Sequence, residues 1–283
     1  MKNIIIIGAG PAGISAALYT TRAGFDTTVI AIPGGGLYKA EKIENYYGFK
    51  EPISGKDLYE SGIEGAKRLG VKFIRGEVVG MGFSDKFTVK TTDNEFSADA
   101  VIIATGSKRN KPDIENLEKF EGKGVSYCAV CDAFFHKGKN VAVLGNAQYA
   151  LCEANELINI ANSVTLLTNG EEPKISDERL TVNKKKIKVL SGCNLLEKVI
   201  FEDGSELEVS GLFVALGTAG SADLARKMGI LTEGNNIITD ENGATNIPGI
   251  FSAGDCTGGL LQISKAVYDG ANAGIAAINF LRK

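Results

Sequence analysis

The feature that most constrains the fold is a pattern used twice: an apolar strand, a tight turn, a helix and a second apolar strand. The first copy runs Ile4-Ile5-Ile6-Ile7, Gly8-Ala9-Gly10-Pro11-Ala12-Gly13, an apolar-periodic helix to Ala23, and Thr27-Thr28-Val29-Ile30. The second runs Val141-Ala142-Val143-Leu144, Gly145-Asn146-Ala147-Gln148-Tyr149-Ala150, a helix to about Asn159, and Val164-Thr165-Leu166-Leu167. A strand that crosses through a helix to a parallel neighbour predicts an α/β fold, here two Rossmann-like three-layer domains. In the first copy the glycines fit a dinucleotide fingerprint. Gly8 serves the tight turn, Gly10 lets backbone approach a pyrophosphate, and Gly13 lets helix pack on strand. The second strand ends in Ala31-Ile32-Pro33 instead of the acidic residue that usually holds a ribose hydroxyl, so that contact is expected from elsewhere.

Between and around the copies, the chain reads in order. Gly34-Gly35-Gly36-Leu37 and Ile43-Glu44-Asn45-Tyr46-Tyr47-Gly48 form a long irregular stretch of the kind a domain keeps when a ligand wraps into it. A helix is expected over 55–69, short strands over 71–74, 78–81 and 87–90, and a buried strand over 98–104 that ends in Ala104-Thr105-Gly106. The second unit adds strands near 188–190, 198–201, 206–209 and 212–216. Asn246-Ile247-Pro248-Gly249 reads as a return crossing, followed by the strand Ile250-Phe251-Ser252-Ala253-Gly254-Asp255 and a last helix over about 262–281. The expected organisation is a first domain of residues 1–110 and 246–283, with residues 111–245 inserted as a second domain through two connections able to hinge.

A chain of 283 residues has length for two domains, and 44% hydrophobic with 23% charged residues is a globular composition. The net charge of -3 argues against nucleic acid as a partner, and Lys184-Lys185-Lys186 reads as a solvated turn or helix face. The N-terminal apolar run is too short for a signal peptide and no run is long enough to span a bilayer, so no membrane partner and a cytoplasmic location are expected.

In that reducing setting Cys128-Ala129-Val130-Cys131-Asp132 reads as a catalytic pair rather than a structural one. Two cysteines three apart can close a disulfide ring, and a helix opening there would favour thiolate at Cys128. Half of a zinc site and a buried structural pair stand as alternatives. Zinc needs four ligands at defined spacing, whereas Cys152, Cys193 and Cys256 are scattered and His136 is the single histidine, so no metal is expected. His136, beyond Phe134-Phe135, is expected at a surface turn; Cys256 as an inert buried thiol; Cys152 and Cys193 without a role.

On Gly8 to Gly13, Glu44-Asn45-Tyr46, Ala104-Thr105-Gly106, Cys128 to Asp132 and Ile250 to Asp255, nearly the whole chain resembles the low-molecular-weight thioredoxin reductases, two-domain flavoprotein disulfide reductases. The resemblance implies FAD as cofactor. It places Gly8, Gly10, Pro11, Ala12, Gly13, Gly34, Gly35, Leu37, Asn45, backbone at Val78, Ala104, Gly106, Gly254, Asp255, Gln262 and Ile263 along it. It also makes Cys131 the flavin-facing sulfur, Cys128 the thiol that attacks thioredoxin, Asp132 the proton shuttle, and the protein a homodimer. The second unit departs from that pattern. Ala147 stands where the NADPH fingerprint of the family has glycine, and Leu167-Thr168-Asn169-Gly170-Glu171-Glu172 where it has a cationic cluster for the 2′-phosphate. A methyl group obstructs the pyrophosphate and carboxylates repel a phosphate. The chain is therefore most similar to the ferredoxin-dependent flavin thioredoxin reductases, in which a flavin collects single electrons from an iron-sulfur donor and delivers a pair. An NAD(P)H-dependent thioredoxin or peroxiredoxin-linked reductase and a flavin redox sensor without turnover are the other readings.

Overall fold

Four consecutive isoleucines with no polar face suit only a strand covered on both sides, and Ile4 to Ile7 are all buried in the computed structural model. The structure describes residues 2–106, 112–217 and 220–283. In chain order the elements are β1 (Asn3–Ile7), α1 (Pro11–Arg22), β2 (Asp26–Ala31), α2 (Gly55–Arg68), β3 (Lys72–Arg75), β4 (Val78–Phe83), β5 (Phe87–Thr91), β6 (Glu95–Ala98) and β7 (Ala100–Ile103). There follow β8 (Val125–Ser126), α3 (Ala129–Asp132), β9 (Asn140–Leu144), α4 (Gln148–Ile158), β10 (Ser163–Leu167), β11 (Thr181–Asn183), β12 (Ile187–Ser191), β13 (Lys198–Phe201), β14 (Glu206–Glu208) and β15 (Gly211–Val214). The chain closes with α5 (Ser221–Lys227), β16 (Thr232–Glu233), β17 (Asn236–Ile237), β18 (Ile250–Ser252) and α6 (Ile263–Arg282).

Two units result, Met1–Lys108 with Gly220–Lys283, and Arg109–Ala219. In the first, five parallel strands lie in the order β18-β7-β1-β2-β3, with the antiparallel sheet β4-β5-β6 between β3 and β7 in the chain. In the second, five parallel strands lie in the order β8-β15-β9-β10-β11, with β12-β13-β14 as the matching antiparallel sheet. The internal repeat therefore extends from strand-turn-helix-strand to the entire unit. The copies differ in where the fifth strand comes from. The first unit takes it from the returning chain as β18, the second from the segment ahead of its own first strand as β8.

The return crossing comes at Gly220 and not at Asn246 as expected, because α5 packs on β4 and β17 packs on the Asp255–Thr257 turn, all within the first unit. The outward crossing, expected after residue 110, falls at 107–111, outside the described residues. The single strand expected over 98–104 is two strands. At Asp99 the amide turns to the Asn3 carbonyl, 3.0 Å away, which ends the antiparallel β6 and starts the parallel β7.

The core of the first unit is unusually rich in alanine where α1 crosses α6: Ala12, Ala16, Ala266, Ala273 and Ala277 are all buried. Small residues let the two backbones approach, and a Cβ added to Gly270 would stand 2.1 Å from the Ala12 carbonyl oxygen. This crossing fixes the first residues of α1 against the last helix of the chain.

Candidate active site

A doubly wound sheet offers a ligand crevice where the strand order reverses, outside the carboxyl ends of the strands. In the first unit that point lies between β1 and β7. Gly8 has φ +110° and its missing Cβ would lie 2.2 Å from the Ala104 carbonyl oxygen; at Gly13 a Cβ would lie 1.9 Å from the Gly8 carbonyl oxygen. Both glycines close the turn on protein. Gly10 differs, because a Cβ there meets no protein atom within 4 Å, so the space it leaves is open to a ligand. Pro11 stands at the head of α1, no acidic residue occupies the first turn, and Gly10 offers no side-chain cap. The N-terminal amides of α1 therefore face a site suited to an anion.

Gly254 (φ +83°) brings its backbone against α1, where a Cβ would stand 2.8 Å from the Cβ of Ala12. The turn that carries Asp255 is braced from α6: Lys265 Nζ donates to the carbonyl oxygens of Gly254 (3.0 Å) and Gly258 (2.7 Å) and to the Thr257 hydroxyl (2.9 Å). Asp269 accepts the Gly254 amide at 3.1 Å and pairs with Lys265 at 2.7 Å. Asn45 Nδ2 donates to Gln262 Oε1 at 3.0 Å, tying the irregular stretch to the head of α6, where Gln262 precedes Ile263. Gly34 and Gly35 have φ near +103°, Gly106 near +78°, and the Leu37 carbonyl packs where a Cβ on Gly55 would stand. Val78 opens β4 at the start of the small sheet. A cavity of about 450 Å³ opens beside Ala9, Ala31, Pro33, Ile74 and Arg75. The open space at Gly10, the free helix head and this cavity fit an extended dinucleotide such as FAD.

In the second unit Cys128 and Cys131 are joined as a disulfide with Cα atoms 5.3 Å apart. The pair follows β8 directly and lies at the same end of its parallel sheet as the Gly145 turn. The backbone around it is pinned. Cys128 caps α3, its sulfur accepting the Cys131 amide at 3.3 Å. The Cys128 amide donates to Ser126 Oγ at 3.1 Å, and the Ser126 hydroxyl donates to Asp132 Oδ2 at 2.6 Å. The Ala129 amide donates to Glu153 Oε2 at 2.7 Å. Cys128 is 2% exposed, whereas Cys131 is exposed together with Val130, Phe134 and Phe135.

His136 is not at the surface. The residue is 9% exposed, its Nδ1 lies 3.0 Å from Ser210 Oγ, and its ring meets Phe213 edge to face over Gly211. The 3-10 turn Ala133–His136 carries it back onto the sheet, and the absence of a Cβ at Gly211 makes room for the ring. Burial, with the Lys139 charge, holds its pKa below the ordinary value, opposed by Asp132. Cys256 is fully buried, as expected, with its sulfur 3.1 Å from Ser252 Oγ, and burial pushes its thiol up.

The second glycine turn is built differently from the first. Gly145 repeats the role of Gly8, since a Cβ there would lie 2.3 Å from the Ala215 carbonyl oxygen. Ala147 takes the place of Gly10 at the head of α4, also in the β region but with φ −128° against −72°, and it adds a methyl group where the first turn has none. Tyr149, in the place of Ala12, is 2% exposed. The segment after β10 closes over the turn: Asn146 Nδ2 donates to Glu171 Oε2, and the Lys174 amide donates to the Asn146 carbonyl at 2.7 Å. Lys184 is held by Glu172 at 2.6 Å.

Two such units, one with a dinucleotide cradle and one with a disulfide beside a degenerate turn, define a flavoprotein disulfide oxidoreductase. Residues 2–270 match the family model described as pyridine nucleotide-disulphide oxidoreductase. A thioredoxin reductase of Listeria innocua is 35% identical over 99% of this chain and 94% of its own. The chain belongs to the thioredoxin reductases of the pyridine nucleotide-disulphide oxidoreductase family, and its cofactor is FAD. Among solved structures, the atypical thioredoxin reductase TRi of Desulfovibrio vulgaris Hildenborough is 41% identical, covers 100% of this chain and 98% of its own, and superposes with a TM-score of 0.93. A ferredoxin-flavin thioredoxin reductase of Clostridium acetobutylicum is 31% identical over 99% of this chain and 98% of its own, with a TM-score of 0.71.

Sequence reading missed Ser126, Glu153, Lys265 and Asp269. Glu153 carried a signal: it falls on the buried face of α4 with Tyr149, Ala150, Ala154 and Leu157, where a carboxylate needs a partner. Lys265 and Asp269 stand four apart on α6 and read as an ordinary surface pair; only the fold shows that they brace Gly254.

Proposed function

We propose that the protein reduces the disulfide of thioredoxin through Cys128 and Cys131, with electrons supplied to FAD by reduced ferredoxin and not by NADPH. The observation that carries the choice of donor is the second turn. Ala147 fills the approach to the helix head, Asn146 is bonded to Glu171, and the neighbouring cation Lys184 is taken by Glu172. A pyridine nucleotide would have to bring its phosphates against the carboxylates of Glu171 and Glu172, where the family pattern has a cationic cluster. The likeness to a ferredoxin-flavin thioredoxin reductase over nearly the whole chain supports the same reading.

The residues of the first unit divide the work of holding FAD. Gly8, Gly10, Pro11, Ala12 and Gly13 present the α1 amides to the pyrophosphate. Ala104 and Gly106 would close the far side of the crevice, and Gly254-Asp255 would hold the ribityl chain. Gly34, Gly35, Leu37, Asn45, Val78, Gln262 and Ile263 line the rest. FAD, when bound, takes electrons singly and gives them up as a pair, which a disulfide requires. Reduction of Cys128-Cys131 takes two electrons and two protons. The Cys128 thiolate then attacks one sulfur of the thioredoxin disulfide, the other leaving and taking up a proton as the mixed disulfide forms; Cys131 attacks the Cys128 sulfur, the Cys128-Cys131 disulfide closes again, and the second thioredoxin sulfur leaves as a thiol. Asp132, which accepts a hydrogen bond from the Ser126 hydroxyl, would pass the proton. Cys128 is 2% exposed, so its segment has to open before thioredoxin reaches it. Homodimerisation and the assignment of residues 109–219 as the inserted unit belong to the same proposal.

The test is anaerobic reduction of the bound flavin by NADPH, NADH and reduced ferredoxin in parallel. Ferredoxin should bleach the flavin absorbance and sustain consumption of thioredoxin disulfide. Rapid bleaching by NADPH would favour the NAD(P)H-dependent reading. Bleaching by ferredoxin with no thioredoxin consumed would leave a redox sensor.

A further inference from the structure

Of the groups that this mechanism leaves without a task, Glu153 is the most constrained. It is 1% exposed, on the inner face of α4, and its Oε2 accepts the Ala129 amide at 2.7 Å. That amide is the first between the two cysteines, and its peptide bond joins Ala129 to Cys128. A carboxylate so deeply buried is held by what it bonds to, and this one is bonded to the redox turn. Titratable groups around the pair include Tyr127, which precedes Cys128 and is bonded through its hydroxyl to Glu121, Cys131 and Asp132 on α3, His136 on the turn after it, and Tyr149, Cys152 and Glu156 on α4. Asp132 is bonded to Ser126, His136 lies against Ser210, and Glu156 is exposed. Glu153 is the carboxylate that reaches a backbone amide between the sulfurs.

We propose that Glu153 is a positioning residue of the dithiol: its carboxylate holds the Ala129 amide in the redox turn and, as a negative charge beside Cys128, keeps that sulfur protonated and the pair reducing. The disulfide is neutral and unaffected by a nearby charge. Once two electrons and two protons have opened it, a thiolate at Cys128 meets both a like charge and an amide already engaged elsewhere. The charge thus raises the free energy of the thiolate, delays its formation, and keeps the reduced pair from being over-stabilised in the way that makes a dithiol oxidising. The inference rests on Cys128 and Cys131 being the working pair, but not on the identity of the electron donor.

The experiment uses the holoprotein with Cys131→Ser, reduced with dithiothreitol, and follows the ultraviolet thiolate absorbance of Cys128 with pH, with and without Glu153→Gln. Removing the charge should lower the thiol pKa by about one unit, giving about tenfold more thiolate at a given pH below it. With both cysteines present, Glu153→Gln should also poise the pair less reducing in a glutathione buffer. Glu156→Gln, an exposed change on the same helix, should titrate as the parent does. A folded Glu153→Gln protein with the parental titration overturns the proposal and leaves a clamp without electrostatic effect. If Glu153→Gln does not fold, Glu153→Asp is titrated instead: its shorter carboxylate withdraws from the Ala129 amide, so the pKa must fall there too, by less, and an unchanged value is equally decisive. Because reduction is chemical and no thioredoxin is present, a failure of the ferredoxin reading leaves this result untouched.

Discussion

At the scale of single residues, the two turns differ by a methyl group whose effect can be isolated. Gly10 has an extended backbone with φ −72°, and a Cβ there meets no protein atom. Gly10→Ala should therefore leave the unfolding of the apoprotein unchanged while weakening FAD binding about tenfold to a hundredfold, through lost contact with the pyrophosphate. Flavin titration of the apoprotein beside its thermal unfolding separates the two effects, and equal losses in both would count against the cradle. Cys128→Ser should accept electrons into its flavin and consume no thioredoxin disulfide; normal turnover would show that another sulfur does the work. His136 is a buried ring whose burial holds its folded pKa below the ordinary 6.5. Its contribution to stability is complete above pH 6.5, where the unfolded chain is also neutral, and is lost as pH falls through the depressed folded value. Urea midpoints at about pH 8 and about pH 5 should fall more for the parent than for His136→Gln over that interval.

At the scale of elements, function depends on how closely helices approach. The head of α1 is set by α6, since Gly270 lies against the Ala12 carbonyl and Lys265 and Asp269 hold the turn carrying Gly254. Gly270→Ala forces a methyl group to within 2.1 Å of that carbonyl unless the helices part. Overpacking of this kind costs about 1–3 kcal/mol. Because Ala12 belongs to the cradle, thermal stability and FAD affinity should drop together, in contrast to Gly10→Ala, and a stable variant with intact flavin binding would show that the crossing tolerates separation. In the second unit the decisive element is the segment after β10. It turns at Asn169 (φ +51°) and Gly170, and Asn169 accepts the Ile187 amide at 2.7 Å, so Glu171 is delivered to Asn146 by a built turn.

At the scale of the molecule, two units with separate cores need not unfold together. A ligand that binds only the folded form of one unit raises the stability of that unit, by about 2.7 kcal/mol at a hundredfold excess over Kd. Adding FAD to the apoprotein in a calorimeter should therefore raise the transition of the unit built from Met1–Lys108 and Gly220–Lys283 and leave the other where it was. A single transition that moves as one would mean that the units unfold as a body.

Sequence alone determined the repeated strand-turn-helix-strand, the cradle glycines, the cysteine pair and the defects at Ala147 and Glu171, because each is a local pattern whose period or chemistry is complete within a few residues. Element ends along α1, α2, α4 and α6 followed for the same reason. Tertiary structure alone decided the rest. It made Gly220 the point of return, since α5 carries no strong period of its own and is assigned by its packing on β4. It buried His136, whose place depends on a glycine seventy-five positions later in the chain, Gly211. It also brought Glu153 to the Ala129 amide, twenty-four residues away, through a helix and a strand that had to pack before the contact existed. Local patterns report which groups a chain carries; which of them meet is settled by burial, and burial is a property of the folded whole.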